Sequence, residues 1–510
     1  MQSAPLLIDG ESLTLSSLVE VARKGRRVAL GPAAAARIRQ CREAVERLMQ
    51  QGRPIYGLNT GFGRLAEVAI PCEKVEELQR NLILSHACGV GPPLPAEAVR
   101  AAMVLRANAL ARGHSGVRPE LVLGLLELVN RGIHPVVPGQ GSLGASGDLA
   151  PLSHIALVLM GEGEAEFGGR VLSGAEALAA AGLKPVTLQA KEGLALINGS
   201  QVTAAVGALA AADAITLAQS ADCVAALTLE GLRGIAAAFD PRIQAVRPHP
   251  GQAASAANVR RLLEGSRLVT LPGEARVQDA YCLRCVPQVH GASRDAMAHV
   301  VEVLEREFNS ATDNPLVFPD DGDVLSGGNF HGQPLALALD YLGMAAAELG
   351  DISERRTERL TNPSLSGLPA FLASGSGLHS GYMVAQYTAA SLVSENKVLA
   401  HPASVDSIPA SAGQEDHVSM GTTAARKARM IVDNVLRVLA VEALCAAQAA
   451  DFRGPELLGR GTSALHRALR RLVPPLRGDR VLAPEVEAVA RWLAEGGAVR
   501  AVREAVPALL

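Results

Sequence analysis

Apolar residues recur at helical spacing along most of this chain. In residues 121–129 they fall at 121, 125 and 128 and again at 122, 126 and 129, two adjacent stripes on one side of a helix. Pro119 lies just upstream, and Gly132 stands where a left-handed C-terminal cap falls, so the spacing predicts a helix here. Long Ala- and Leu-rich segments follow at about 200–235, 290–308, 333–360, 380–400 and 422–450. Together they predict a bundle of long helices. Alternating patterns are few. Residues 164–173 read as a hairpin turning at Gly168-Gly169, and 316–325 as another turning at 319–322. Glycine-rich loops at 57–63, 139–147, 326–332 and 373–377 interrupt the helices only briefly. The expected fold is mainly α. A smaller mixed N-terminal part (1–200) precedes a long-helix body with a C-terminal helical cap (201–510), and the two form one compact unit with a soft boundary.

Composition narrows this picture. The 510 residues are 48% hydrophobic but only 3% aromatic, so the core must be built from small and aliphatic side chains, which suits helix-on-helix packing. A net charge of −3 argues against nucleic acid or an anionic membrane as partner. The longest apolar run, about 202–232, is interrupted by Asp213, Gln219 and Asp222, a pattern of a buried core helix rather than a membrane span. Seven scattered cysteines and an N-terminus without a basic, apolar leader point to reduced thiols in the cytoplasm. Cys282-x-x-Cys285 has no second Cys/His pair, so it reads as core thiols and no metal is expected.

The chemistry concentrates in Gly141-Ser-Leu-Gly-Ala-Ser-Gly-Asp148. In a tight enough bend the amide nitrogen of Gly147 attacks the carbonyl of Ala145. A five-membered ring closes with loss of water, and loss of the Ser146 hydroxyl leaves an exocyclic methylidene, an electrophile made from backbone. Gly147 puts no Cβ beside the attacking nitrogen. A helix starting at Asp148, with that residue as N-cap and Pro151 in the first turn, aims unpaired N–H groups at the loop. Rival readings fit less well. Gly139-x-Gly141-x-x-Gly144 matches a dinucleotide fingerprint formally, but the prolines in 132–138 leave little room for the strand it needs. No Lys-Ser/Thr pair follows for a phosphate loop, and Asp148 replaces the last glycine of a hydrolase elbow.

This run resembles the signature of the aromatic amino acid ammonia-lyases and aminomutases, which carry a methylidene-imidazolone (MIO). Further runs match in order: Tyr56-Gly-Leu-Asn-Thr-Gly-Phe-Gly63, Leu196-Ile-Asn198-Gly, Gln278-Asp-Ala-Tyr281, Phe308 to Pro315, and Gly327-Gly-Asn-Phe330-His-Gly. Leu84-Ser-His86-Ala and Gln414-Glu415-Asp-His417 resemble the histidine-specific branch. A carboxylate such as Glu415 can accept an imidazole N–H, whereas beside a phenyl ring it would be buried and unpaired.

The resemblance implies deamination of L-histidine to trans-urocanate and ammonia, with a tyrosine or phenylalanine lyase or aminomutase as the alternative within the family. A non-catalytic helical scaffold is the alternative outside it. The MIO would form from Ala145, Ser146 and Gly147, with no external cofactor. Tyr56 is implied as base or carboxylate partner and Tyr281 as proton shuttle or donor. Arg284 is implied to bind the substrate carboxylate, Asn198 the MIO or that carboxylate, and Phe330 the ring. His86, Gln278 and Glu415 complete the substrate-binding set. A homotetramer with shared active sites is also implied. Gly413 and Val286 depart from the family pattern, which has Asn and Gln there.

Overall fold

The computed structural model describes residues 4–51, 54–375 and 377–510. They fall into two compact units. One comprises Met1–Leu209, Val301–Asp340 and Pro402–Arg426, the other Ala210–Val300, Tyr341–His401 and Lys427–Leu510. This division differs from a single cut near residue 200. Four of the five cuts fall inside the helices Gln201–Gly231, Val286–Phe308, Gln333–Thr361 and Gly421–Arg453, so each of these four contributes residues to both units. These four helices and Met383–Leu399 are the five long segments the periodicity predicts. Gln201–Gly231 is long and apolar enough to cross a membrane, yet 83% of its most apolar window is buried in the protein.

The first unit is mixed. Helix Pro119–Arg131 ends at Gly132 in the left-handed conformation (φ 70°), as predicted. Both predicted hairpins form. Glu164–Phe167 pairs with Arg170–Ser173, with positive φ at Gly168 and Gly169, and Leu316–Phe318 pairs with Asp323–Leu325. Further short strands were not expected: Leu6–Ile8 pairs parallel with Val28–Leu30, His134–Pro135 pairs antiparallel with Glu164–Phe167, and Pro138–Gln140 pairs antiparallel with Val90–Pro93. Val90–Pro93 is exposed throughout, an edge position where proline can lack its N–H without breaking a sheet. The pairing is not the parallel unit a dinucleotide site needs. Helix Ala96–Ala111 is buried nearly all round, because its alanines let neighbours approach from every side. Helices Val75–His86, Leu149–Leu159 and Glu192–Ile197 pack against one another, and each supplies lining to the cavity described below.

The second unit has a polar centre. Arg356 donates to both carboxylate oxygens of Glu442, at 2.6 and 2.8 Å, and both side chains are fully buried. The hydroxyls of Thr228 and Ser353 donate to the same carboxylate at 2.7 and 2.6 Å. Removing one partner of such a pair strands the other charge. Arg356→Met is expected to lower stability by about 3–5 kcal/mol. Arg80→Met, which breaks an exposed pair with Glu162, is expected to lower it by less than about 1 kcal/mol. Urea-unfolding midpoints check the contrast.

Candidate active site

The Ala145-Ser146-Gly147 segment is held tightly on one side. Gly147 has φ 74°, and a Cβ built there would lie 2.2 Å from the carbonyl oxygen of Gly199. Only glycine permits that contact. The next amide, Asp148 N–H, donates to the same Gly199 oxygen at 2.7 Å. On the other flank, the N–H groups of Ser419 and Met420 donate to the carbonyls of Gly144 and Leu143, each at 3.3 Å.

Asp148 occupies the N-cap position of helix Leu149–Leu159, but its side chain does not cap that helix. The buried carboxylate serves distant elements instead. The hydroxyls of Ser142, Thr203 and Thr422 lie 2.9, 2.8 and 2.7 Å from Oδ1, and Thr203 N–H donates to Oδ2 at 2.7 Å. Thr203 sits in the first turn of helix Gln201–Gly231, where N–H groups have no intrahelical partner. One carboxylate thus ties the loop to the starts of two long helices. The loop motif singled out Asp148, but nothing in the sequence marked Thr203 or Thr422 as its partners.

Ser146 opens onto a cavity of about 470 Å³ that is also lined by Tyr56, Phe62, His86, Ser411 and Glu415. Three of the expected site residues therefore meet Ser146. Gly63 N–H donates to the Tyr56 hydroxyl at 3.3 Å, and the Phe62 ring meets the Tyr56 ring edge-on. Burial, reinforced by the charges of Glu415 and Asp313, holds the Tyr56 phenol above its usual range, so it is protonated at rest. Burial raises the Glu415 carboxyl and lowers the His86 imidazole, which keeps His86 neutral. Glu415 is set by a tight turn: Ala410 and Glu415 bridge, and Ser411, Ala412 and Gly413 all have positive φ. Gly413 has φ 83° with open space around it, and this explains the departure at 413. Glycine and asparagine are the residues that adopt this conformation most readily.

The remaining expected residues are placed differently. Asn198 is buried near the loop. Its carbonyl accepts from Arg106 at 2.7 Å, while its side-chain Oδ1 finds no hydrogen-bond partner among the described residues. Phe330 is half-buried in the 326–332 loop and does not line the cavity. Gln278 and Arg284 line a separate cavity of the second unit together with Cys285. Tyr281 is 71% exposed, with the Arg284 guanidinium 4.6 Å from its ring centroid. These three do not line the Ser146 cavity of this chain.

A family model described as aromatic amino acid lyase matches residues 13–471. The chain belongs to the aromatic amino acid lyase family. Among curated proteins of this family, it is 63% identical to histidine ammonia-lyase of Symbiobacterium thermophilum over 493 residues, 97% of each chain. Among solved structures, it matches tyrosine aminomutase of Streptomyces globisporus with a TM-score of 0.95 at 42% identity, covering 98% of this chain and 99% of that one. Histidine ammonia-lyase of Trypanosoma cruzi matches with a TM-score of 0.92 at 44% identity, covering 99% and 96%. The match thus reaches well beyond 55–420, the span of the sequence motifs.

The Asp148 cluster makes a direct prediction for this family member. Asp148→Ala leaves three hydroxyls and a helix N–H without their acceptor, and stability is expected to fall by about 2–3 kcal/mol or more. Thermal unfolding of the purified variant against the parent checks it.

Proposed function

We propose that this chain is a histidine ammonia-lyase, converting L-histidine to trans-urocanate and ammonia with an MIO formed from Ala145, Ser146 and Gly147. The observation that carries the substrate choice is that His86 and Glu415 line the same cavity as Ser146. Relatives and a solved structure that bear this name at high identity support the reading. A phenyl or phenol substrate would leave the Glu415 carboxylate without an imidazole N–H to accept.

The residues present fit an MIO. Gly147 is in close backbone contact with Gly199, Ser146 faces the cavity, and the unpartnered Asn198 Oδ1 is a buried polar atom suited to hold the group. An MIO supplies an electrophile that draws electrons from the substrate amine and makes it a better leaving group. Glu415 accepts an imidazole N–H and orients the ring. Neutral His86 adds a second polar contact in the same wall. The protonated Tyr56 hydroxyl donates to the substrate carboxylate. Net reaction removes one β-proton and the α-amino group.

We further infer a homotetramer with shared active sites. Tyr281, Gln278 and Arg284 would be supplied by a partner subunit, Tyr281 as the proton-transfer group and Arg284 as the carboxylate fork. Their absence from the Ser146 cavity of this chain motivates that inference. The seven cysteines are all unpaired, consistent with a cytoplasmic setting.

Two measurements test the reading. Purified protein is expected to lack two waters by intact mass and to raise the urocanate absorbance with L-histidine. Ser146→Ala should abolish both, and turnover of tyrosine but not histidine would contradict the assignment. The second concerns pH. Glu415 must be ionised to accept the ring N–H and its pKa is raised, so kcat/KM for histidine should fall with acid at a pH above the usual carboxylate range. Glu415→Gln should lose that acid limb and slow turnover about tenfold to a hundredfold.

A further inference from the structure

Arg106 and Arg356 head the fully buried side chains by volume, but their surroundings are opposite. Arg356 has Glu442 as a bidentate counter-ion. Arg106, only 1% exposed on helix Ala96–Ala111, pairs with no carboxylate among the described residues. The buried carboxylate whose charge acts on it, Asp313, is already bound by Lys191 at 2.7 Å. Burial holds the Arg106 guanidinium down at about 10. Its Nη1 donates to the Asn198 carbonyl at 2.7 Å and to Gln201 Oε1 at 2.8 Å, while Nε and Nη2 have no partner among the described residues. Gln201 is itself anchored by donating to Thr312 Oγ1 at 2.6 Å. A buried cation without a counter-ion is destabilising, so its placement calls for a reason beyond packing.

The reason lies in what Arg106 backs. A Cβ on Gly199 would sit 2.4 Å from Arg106 Nη1, and a Cβ on Gly147 would sit 2.2 Å from Gly199 O. The order is therefore guanidinium, Asn198–Gly199 backbone, Gly147–Asp148 backbone, with no side chain between the layers. The Asp148 N–H bond to Gly199 O joins the last two. We propose that Arg106 is a positioning residue for electrophile formation: by holding the Asn198 carbonyl it fixes the Asn198–Gly199 backbone as a rigid wall behind Gly147. The inference rests on the MIO reading above and adds to it a residue that never touches substrate. That bond engages only the Asn198 backbone carbonyl, and the side-chain Oδ1, without a partner among the described residues, is available to the group it would hold.

Ring closure needs that wall. The Gly147 nitrogen bonds to the Ala145 carbonyl carbon. The Ala145 oxygen leaves as water with the Gly147 and Ser146 amide hydrogens, and the Ser146 hydroxyl leaves as a second water with its Cα hydrogen. No oxidant or reductant takes part. Displacing reacting atoms by about an ångström slows such reactions by up to about a hundredfold. Lysine cannot replace the planar fork without loss, because a rotatable ammonium fixes neither acceptor as rigidly.

The test follows loss of two waters by intact mass in protein purified soon after a short induction. Arg106→Met is expected to fold yet close about tenfold to a hundredfold more slowly than the parent. Arg106→Lys should be intermediate. Gln201→Met, nearly isosteric, removes one acceptor and serves if Arg106→Met does not fold; its closure should also slow. Arg356→Met is the control for general destabilisation and should close at the parental rate. Once closed, Arg106→Lys should show a lowered kcat with little change in KM. Folded Arg106 and Gln201 variants that close at the parental rate would overturn the proposal. So would an Arg356→Met protein that closes as slowly as Arg106→Met. Parent protein that never loses two waters would instead refute the MIO reading itself.

Discussion

The structure depends on one close backbone contact, Gly147 against Gly199. Two segments of backbone approach there with no side chain between them; the approach requires glycine at 147, and glycine at 199 is required on the opposite side, where a Cβ would meet Arg106 Nη1. Everything around the loop serves to keep it. Asp148 ties the loop to the starts of two long helices, the 419–420 amides hold its other flank, and Arg106 stiffens the Asn198–Gly199 side. Each of these is a buried polar interaction, strong only because its partners are fully satisfied or rigidly placed. A loop built for a turn alone needs none of them.

The cavity adds selectivity to this constraint. Its groups are poised by burial rather than by ion pairs. The Tyr56 phenol is held protonated, the His86 imidazole neutral, and the Glu415 carboxyl raised. Such a site is unfavourable when empty and favourable when a ligand brings matching donors, which is how a polar pocket rejects an apolar isostere. The electrophile determines which chemistry is available, and the pocket wall determines which ring is accepted.

Much of this was legible in the sequence, for physical reasons. Burying one face of a helix imposes a 3.6-residue rhythm, so Pro119–Arg131 and the five long helices stood out within a few residues. Adjacent glycines marked the 164–173 hairpin because its turn needs positive φ. The partners of Asp148 were not legible. Thr203 and Thr422 lie 55 and 274 residues away, and a single hydrogen bond across such a distance leaves no periodic trace. Arg106 was hidden likewise, since an arginine in an Ala-rich helix ordinarily reads as a solvated charge. Motifs named Gln278, Tyr281 and Arg284 but could not say that none of them would line the Ser146 cavity of this chain.

The most direct measurement is tandem mass spectrometry of the proteolytic peptide spanning residues 141–148 from protein that turns over histidine. The account predicts that both lost waters map to Ala145-Ser146-Gly147. An unmodified Ala-Ser-Gly segment in active protein would contradict it.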